Sequence, residues 1–298
     1  MPIGTLINVI PAPVFIVIHV IASLVGVYFA RRSFATGMTD FGRGFVLYAV
    51  AELCYVTYHL GWTVFLFNHA VGELLALLAF VLIFAGVSKR VAAGLYVGRL
   101  FAPEDAALSA VPQRQKEEGV PAIHVSPVEG KLLTVLLRAA GARSALEIGT
   151  LCGYSGIWIA RALGENGRLL TIELDQRHAA IAKQSFGEAA VAHQVELRVG
   201  SAREILPQLT GRFDAVFIDA DKESYPFYYR QSMRLLRVGG LLFGDNALLG
   251  FRVANQSDRA PAVVAMREFN QLAASDPRLS SVILPMRDGL LVGVKLAD

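Results

Sequence analysis

The sequence predicts an α/β fold: a doubly wound, mostly parallel seven-stranded sheet with one antiparallel strand, preceded by an all-α transmembrane domain of about three helices. Three observations carry that expectation. The apolar excess is concentrated in the first hundred positions, in runs nearly free of charge. From Ser126 onward, short apolar runs alternate with helical patterns, the arrangement that builds a parallel sheet with helices on both faces. The last two runs, Val282–Pro285 and Leu290–Lys295, flank Asp288-Gly289, a hairpin signal that requires one antiparallel strand.

The chain has 298 residues, of which 54% are apolar, and a mean hydropathy of +0.47, high for a soluble enzyme. Pro2 to Ala30 holds no Asp, Glu, Lys or Arg, and Arg31-Arg32 closes the run. Spans are expected at about 10–30, 44–67 and 71–88, the last closed by Lys89-Arg90. A signal peptide is the rival reading for the first. It needs a basic start and a shorter apolar run, and MPIGTLINVI has no basic side chain. Arg31, Arg32 and Arg43 in the first connection, against none in Asn68-His69-Ala70, put that connection and the segment after Lys89 on the cytoplasmic side. The chain is thus expected to be an integral membrane protein with its second domain in the cytoplasm. Six of the 28 basic and three of the 25 acidic side chains lie in residues 1–100, which leaves 22 of each beyond. The second domain is therefore neutral, and the pI of about 8.9 is not a nucleic-acid patch. Cys54 and Cys152 imply no disulfide framework, in keeping with a reducing compartment.

Within the membrane half, Glu52 and His59 share one helix face, and His19 stands on the first span. An ionisable group in a span suggests a function, here a metal or haem site. The plainer reading is an interhelical hydrogen-bond cluster, since no ligand spacing recurs. Residues 101–122, with Pro103, Pro112 and Pro121, form a connector carrying a short amphipathic helix, and the catalytic domain is expected at 123–298.

In that domain Leu spacing makes Val128–Ala140 a helix. Strands are expected at Ser144–Ile148, Arg168–Glu173, Val195–Val199, Phe213–Asp219 and Gly240–Phe243, and further helices at Gly156–Leu163, Gln176–Gly187 and Tyr225–Leu236. The chemistry sits at the strand ends. Glu147 to Gly156 is a glycine-rich turn that opens a helix, where a ligand can approach the backbone and its anionic end meets a helix N-terminus. Glu173 ends the next strand, where an acid can bind both ribose hydroxyls. Together these suggest an adenosine-containing cofactor. Asp219 and Asp245-Asn246 end two later strands, at the edge where open α/β sheets bind ligands. Two carboxylates and an amide oxygen are a hard set that suits Mg²⁺. The competing explanation for each acid is that it caps the following helix.

In this order and spacing, LEIGTLCGYS, TIELD, FDAVFIDADK and LLFGDN resemble the metal-dependent caffeoyl-CoA and catechol O-methyltransferase family, with HVSPVEGKLL resembling the segment that leads into its domain. The likeness covers about Ala122–Lys295. It implies a Rossmann-like class I methyltransferase using S-adenosylmethionine and a divalent metal on a small hydroxylated aromatic such as a catechol. By the resemblance, Glu147, Gly149 and Ser155 hold the amino-acid end of the cofactor with Val125 beside it. Glu173 takes the ribose, and Ser201-Ala202 borders the adenine. Asp219, Asp245 and Asn246 bind the metal. Lys222 is the general base, and Asp219 counts with the catalytic and cofactor residues as well. Glu129 and Arg252 fall near the family's substrate side without an assigned role. Three spans depart from a family whose members are soluble or singly anchored. The long substrate-recognition insertion of the plant coenzyme-A-ester enzymes has no counterpart, which favours a smaller or lipophilic catechol. The bilayer is the implied partner, and a homodimer stays open. The competing functions are a membrane binding or sensory module, with haem at His19 and His59 as one option and a second domain that binds cofactor without catalysing, and a metal-free methyltransferase for carboxylates or amines.

Overall fold

A computed structural model describes residues 11–35, 38–60 and 65–298, apart from the side chains of 58, 59 and 65–70. The chain divides into two compact units, Met1–Val97 and Gly98–Asp298. The first is built from helices α1 (Ala12–Ala35), α2 (Thr39–His59) and α3 (Phe65–Phe101), the last running on into the second unit. Among the described residues, Ala12–Ala35 and Val71–Phe101 are long and apolar enough to cross a membrane. α1 runs through Arg31-Arg32 and α3 through Lys89-Arg90, both past the expected span ends. Arg and Lys stop a membrane span without stopping a helix, and the chain has no proline between Pro13 and Pro103. Of the expected span 44–67, the part up to His59 lies in α2, while 61–64 and the His59 side chain lie outside the described residues.

Small residues set how closely α1 and α2 approach. Ser23, Gly26, Ala30 and Ser33 are buried along one stripe of α1, at helical spacing. Ser23 Oγ donates to Ala49 O at 3.0 Å, and a Cβ on Gly26 would meet Ala49 Cβ at 3.1 Å. His19 Nδ1 lies 2.6 Å from Glu52 Oε2, and its ring stacks on Tyr55 at 5.0 Å. That is an interhelical hydrogen bond of the plainer kind anticipated for these residues.

In the second unit, α4 (Ala106–Glu117) is the connector helix, and α5 (Pro127–Ala139) follows. Asp105 caps α4, accepting from Leu108 N at 3.0 Å. Then come β1 (Ser144–Ile148), α6 (Tyr154–Leu163), β2 (Arg168–Glu173), α7 (Gln176–Glu188), β3 (Val195–Val199), α8 (Ala202–Ile205) and β4 (Phe213–Ile218). The chain closes with α9 (Tyr225–Leu235), β5 (Leu236–Gly244), α10 (Pro261–Ser275), β6 (Leu279–Leu284) and β7 (Leu290–Lys295). α4 lies against α7, where Arg114 donates to Ser185 Oγ at 2.9 Å and grips Glu188 at 2.6 and 2.7 Å.

The sheet order is β3-β2-β1-β4-β5-β7-β6. β1 to β5 pair in parallel, and β7 runs antiparallel to both β5 and β6, the single reversed strand that the hairpin signal required. Ile148 of β1 registers with Ile172 of β2 and Ile218 of β4, so three carboxyl ends finish level. After β1 the chain winds towards β3, then returns to β4 on the other side. That reversal opens a crevice at the ends of β1 and β4. Helices cover both faces, one layer packing Leu133, Ile157 and Phe186, the other Tyr225, Met233 and Phe269.

Several elements depart from the sequence reading: the short α8 was not expected, and β6 runs Leu279–Leu284 rather than from Val282 to Pro285. α10 had no expected counterpart, although Pro261 opens it and Val263, Met266, Phe269 and Ala273 bury one face at helical spacing. β5 begins at Leu236 rather than Gly240, because the register against β4 shifts between Phe213 and Ala215 and Gly239-Gly240 lies within the strand instead of bounding it.

Candidate active site

A cleft of about 770 Å³ opens at the carboxyl ends of β1, β2, β3 and β4. It exists because β1 and β4 approach backbone to backbone. Asp219 N donates to Ile148 O at 2.8 Å and Gly149 N to Ile172 O at 3.0 Å, which carries the ladders one residue beyond the strands. Gly149 has φ +99°, and a Cβ there would lie 2.0 Å from Asp219 O. Only glycine meets both demands.

Most residues singled out by sequence reach this cleft. Gly149, Ser155 and Glu173 line it, with Ser201 and Ala202. So do Asp219, Lys222 and Asn246. Val125, Glu147 and Asp245 do not: each is buried immediately behind the wall. Glu147 is fully buried, accepting from Ser155 Oγ and Thr171 Oγ1, each at 2.6 Å. Burial pushes its carboxyl up to about 7 against those two hydroxyl bonds, with Asp219 and Glu173 adding to the rise.

Glu173 does more than end a strand. Its Oε2 accepts from Thr150 N at 3.1 Å and Leu151 N at 2.7 Å, and its Oε1 from Asp175 N at 2.9 Å. One carboxylate thus holds the glycine-rich loop to β2 while its residue faces the cleft.

On the β4 side, Lys222 Nζ donates to Asp219 Oδ1 at 2.9 Å and to Tyr225 Oη at 3.0 Å. Tyr225 is fully buried, with Oη 3.2 Å from Ile218 O and 3.0 Å from Asp245 O. Burial and the nearby carboxylates of Asp219, Asp245 and Asp221 hold its phenol well above the usual range, so it remains protonated. Tyr225 therefore ties the ends of β4 and β5 to the lysine. Sequence reading missed it, although Lys222 and Tyr225 stand three apart where a helical turn starts.

Asp245 accepts from Asn246 N at 2.7 Å. Burial, then Asp219 and Glu129, push its carboxyl up to about 7. Asn246 takes a left-handed backbone, φ +57°, which Asn tolerates well. The two residues without a role also find places. Glu129 makes a capping box with Ser126 and receives Arg287 Nη1 at 3.1 Å, while Arg252 pairs with Asp258 at 2.8 Å. Arg287 also donates to His124 O at 3.0 Å, a contact spanning far too much sequence to be anticipated.

The family model described as O-methyltransferase matches residues 102–296. A catechol O-methyltransferase from Niastella koreensis is 43% identical over 207 residues, covering 68% of this chain and 91% of that protein. Among solved structures, the O-methyltransferase TomG from Streptomyces achromogenes, involved in tomaymycin synthesis and in complex with SAM, is 37% identical with a TM-score of 0.67, over 69% of this chain and 96% of that one. An O-methyltransferase from Bacillus cereus in complex with SAH is 38% identical with a TM-score of 0.66, over 68% and 97%. The family match, the level of identity and the shared fold together make this chain a member of the O-methyltransferase family of S-adenosylmethionine-dependent enzymes.

Proposed function

We propose that this chain is a membrane-anchored enzyme that moves the methyl group of S-adenosylmethionine to a hydroxyl of a catechol-like acceptor, with a divalent metal assisting. The carrying observation is the meeting, in one cleft, of the glycine-rich loop and Glu173 with Asp219, Lys222 and Asn246. The likeness to a catechol O-methyltransferase supports a small hydroxylated aromatic as acceptor.

The donor set fits a hard cation such as Mg²⁺: the carboxylates of Asp219 and Asp245 and the amide oxygen of Asn246. Among the described residues, no group of three His, Cys, Asp or Glu side chains is arranged for a metal, so the amide is essential to this reading. Burial, Asp219 and Glu129 push the carboxyl of Asp245 up to about 7, and Lys222 opposes that rise. When bound, such an ion supplies Lewis acidity, lowering the pKa of vicinal hydroxyls from about 10. S-adenosylmethionine, when bound, supplies the electrophilic methyl group.

The protein's own groups do the rest. Glu173 keeps the glycine-rich loop in place through the Thr150 and Leu151 amides, leaving the N-terminus of α6 facing the cleft. Glu147, behind it, fixes Ser155. Lys222, held by Asp219 and Tyr225, stands where its neutral amine would take the proton of the attacking hydroxyl, its own ammonium proton having left first. The cleft walls would hold the acceptor and the methyl donor in line, and such positioning can supply about 7–11 kcal/mol of the barrier.

The two apolar helices support anchoring, and the basic residues 31, 32, 43, 89 and 90 support a cytoplasmic catalytic unit. The test uses purified full-length protein, labelled S-adenosylmethionine and a panel of diphenols. Label is expected in vicinal diphenols with Mg²⁺, lost with EDTA and restored by excess Mg²⁺. Full turnover in EDTA refutes the metal, and no transfer to any diphenol refutes the acceptor class.

A further inference from the structure

The three most exposed large hydrophobic side chains of Gly98–Asp298 are Leu174, Ile123 and Phe251, at 74%, 66% and 65%. They are not scattered. Ile123 and Leu174 line the cleft. Phe251 follows Leu249, which also lines it, and Gly250, whose amide donates to the carboxylate of the lining residue Asp288. Leu174 follows β2. Leu249 and Phe251 follow β5, on the far side of β1 and β4 in the sheet order. Ile123 belongs to that far side too, because the next residue's carbonyl is held by Arg287 of the β6–β7 turn.

Phe251 is displayed against its own backbone preference. Leu249, Gly250 and Phe251 are three successive left-handed residues, with φ +45°, +61° and +62°. That conformation disfavours Leu and Phe and is free to glycine. The surroundings enforce it. Ala247 N donates to Gly289 O and Leu248 N to Asp288 O, both at 2.8 Å. Further along, the Arg267 guanidinium holds the carbonyls of Val253, Asn255 and Asp258 at 3.1, 2.7 and 2.6 Å. An aromatic ring kept in a strained backbone and left in solvent is not packing the core; it is presented to something.

We infer that the acceptor carries an apolar substituent, which leaves the cleft across Ile123, Leu249 and Phe251 while the hydroxylated ring lies against Asp219, Lys222 and Asn246. This rests on the O-methyl transfer reading and narrows its substrate class to lipophilic catechols. A coenzyme-A ester would need cations at this mouth. The Arg287 guanidinium is turned onto Glu129 and His124 O, Arg252 is paired with Asp258, and Asp288 puts a carboxylate there; Arg203, which lines the cleft on the β3 side, is turned onto Ser224 and the Phe227 ring. An acceptor that partitions into lipid also suits a chain whose described residues include two helices long and apolar enough to cross a membrane.

The test measures kcat/KM for catechol and a series of 4-alkylcatechols, using full-length protein in one detergent. Each methylene withdrawn from water contributes up to about fourfold, so kcat/KM should climb with chain length in the wild type. Phe251→Gly should flatten that slope and at the same time raise Tm, because glycine takes the left-handed backbone without strain. A merely structural phenylalanine would not combine those effects. Ile123→Ser should flatten the slope as well, whereas Val282→Ser, which removes an exposed apolar side chain from β6, should keep it. Comparing slopes within one detergent cancels partitioning. A flat wild-type series, or slopes untouched by Phe251→Gly and Ile123→Ser, overturns the inference while methyl transfer to catechol stands. No transfer to catechol at all defeats the underlying reading, and this one with it.

Discussion

Tyr225→Phe removes one oxygen and should damage the enzyme far more than its distance from solvent suggests. The phenol stands 3.0 Å from Lys222 Nζ, 3.0 Å from Asp245 O and 3.2 Å from Ile218 O. It has one proton, so it donates fully to only one carbonyl at a time and accepts from the lysine. The bond to a charged partner is worth about 1.5–3 kcal/mol and a neutral one about 0.5–1.5 kcal/mol. Tyr225 is fully buried, so water does not replace the lost oxygen. Stability should fall by about 2–4.5 kcal/mol on those terms. The catalytic effect is separate. Lys222 keeps Asp219 but loses the partner that fixes its angle, and a misplaced proton acceptor costs roughly 10–100-fold in kcat. KM for S-adenosylmethionine should hardly change, because Tyr225 does not line the cleft. Urea unfolding gives the first quantity, and labelled methyl transfer at saturating catechol and Mg²⁺ gives the second. A folded variant whose kcat stays within twofold of wild type refutes the positioning role.

Asp245→Asn should leave S-adenosylmethionine binding nearly intact by calorimetry yet abolish Mg²⁺-dependent turnover; unchanged turnover would remove Asp245 from the metal set. Glu173→Ala should weaken cofactor affinity by about 1.5–3 kcal/mol and also lower stability, since Thr150 N and Leu151 N lose their acceptor. Unchanged affinity sinks the ribose assignment, while unchanged stability sinks the loop-holding role. For Glu147 the folded carboxyl, at about 7, lies above its ordinary 4.5, so the folded state binds the proton more tightly than the unfolded one. The cofactor-free protein should therefore be most stable below about pH 4.5 with respect to this group and lose up to about 3 kcal/mol as pH rises through 7. Glu147→Gln removes that group's share, so its unfolding free energy should gain on the wild type between pH 5 and pH 8, and a constant difference across that range counts against the buried acid.

Much of this protein was written in its sequence because the relevant forces are local. Charge-free runs and paired basic residues mark the apolar helices, and alternation of short apolar runs with helical patterns marks the winding. Acids at the ends of those runs, Glu173, Asp219 and Asp245, and the glycine at 149 mark the sheet edge where the cleft opens. Each signal depends on neighbours a few residues apart. Other features were beyond its reach. α10 was overlooked although its apolar spacing is regular, because the segment between 247 and 281 opens with irregular turn residues. The glycines at 239 and 240 looked like a strand boundary, and only pairing with β4 shows them inside β5.

The tertiary structure alone decided how the pieces meet. Strand order sets β1 beside β4, and that adjacency turns Gly149 from a flexible residue into an obligatory one, with Asp219 O 2.0 Å from any Cβ. It makes Glu173 the acceptor for loop amides, and it makes Tyr225 the link between Lys222 and two strand ends. It also gathers Ile123, Leu174 and Leu249, residues from three distant segments, around one opening. Residue types and their local spacing determine which chemistry is available. Hydrogen bonds and close contacts between residues far apart in sequence determine which groups share a site, because those energies depend on distances that no local pattern specifies.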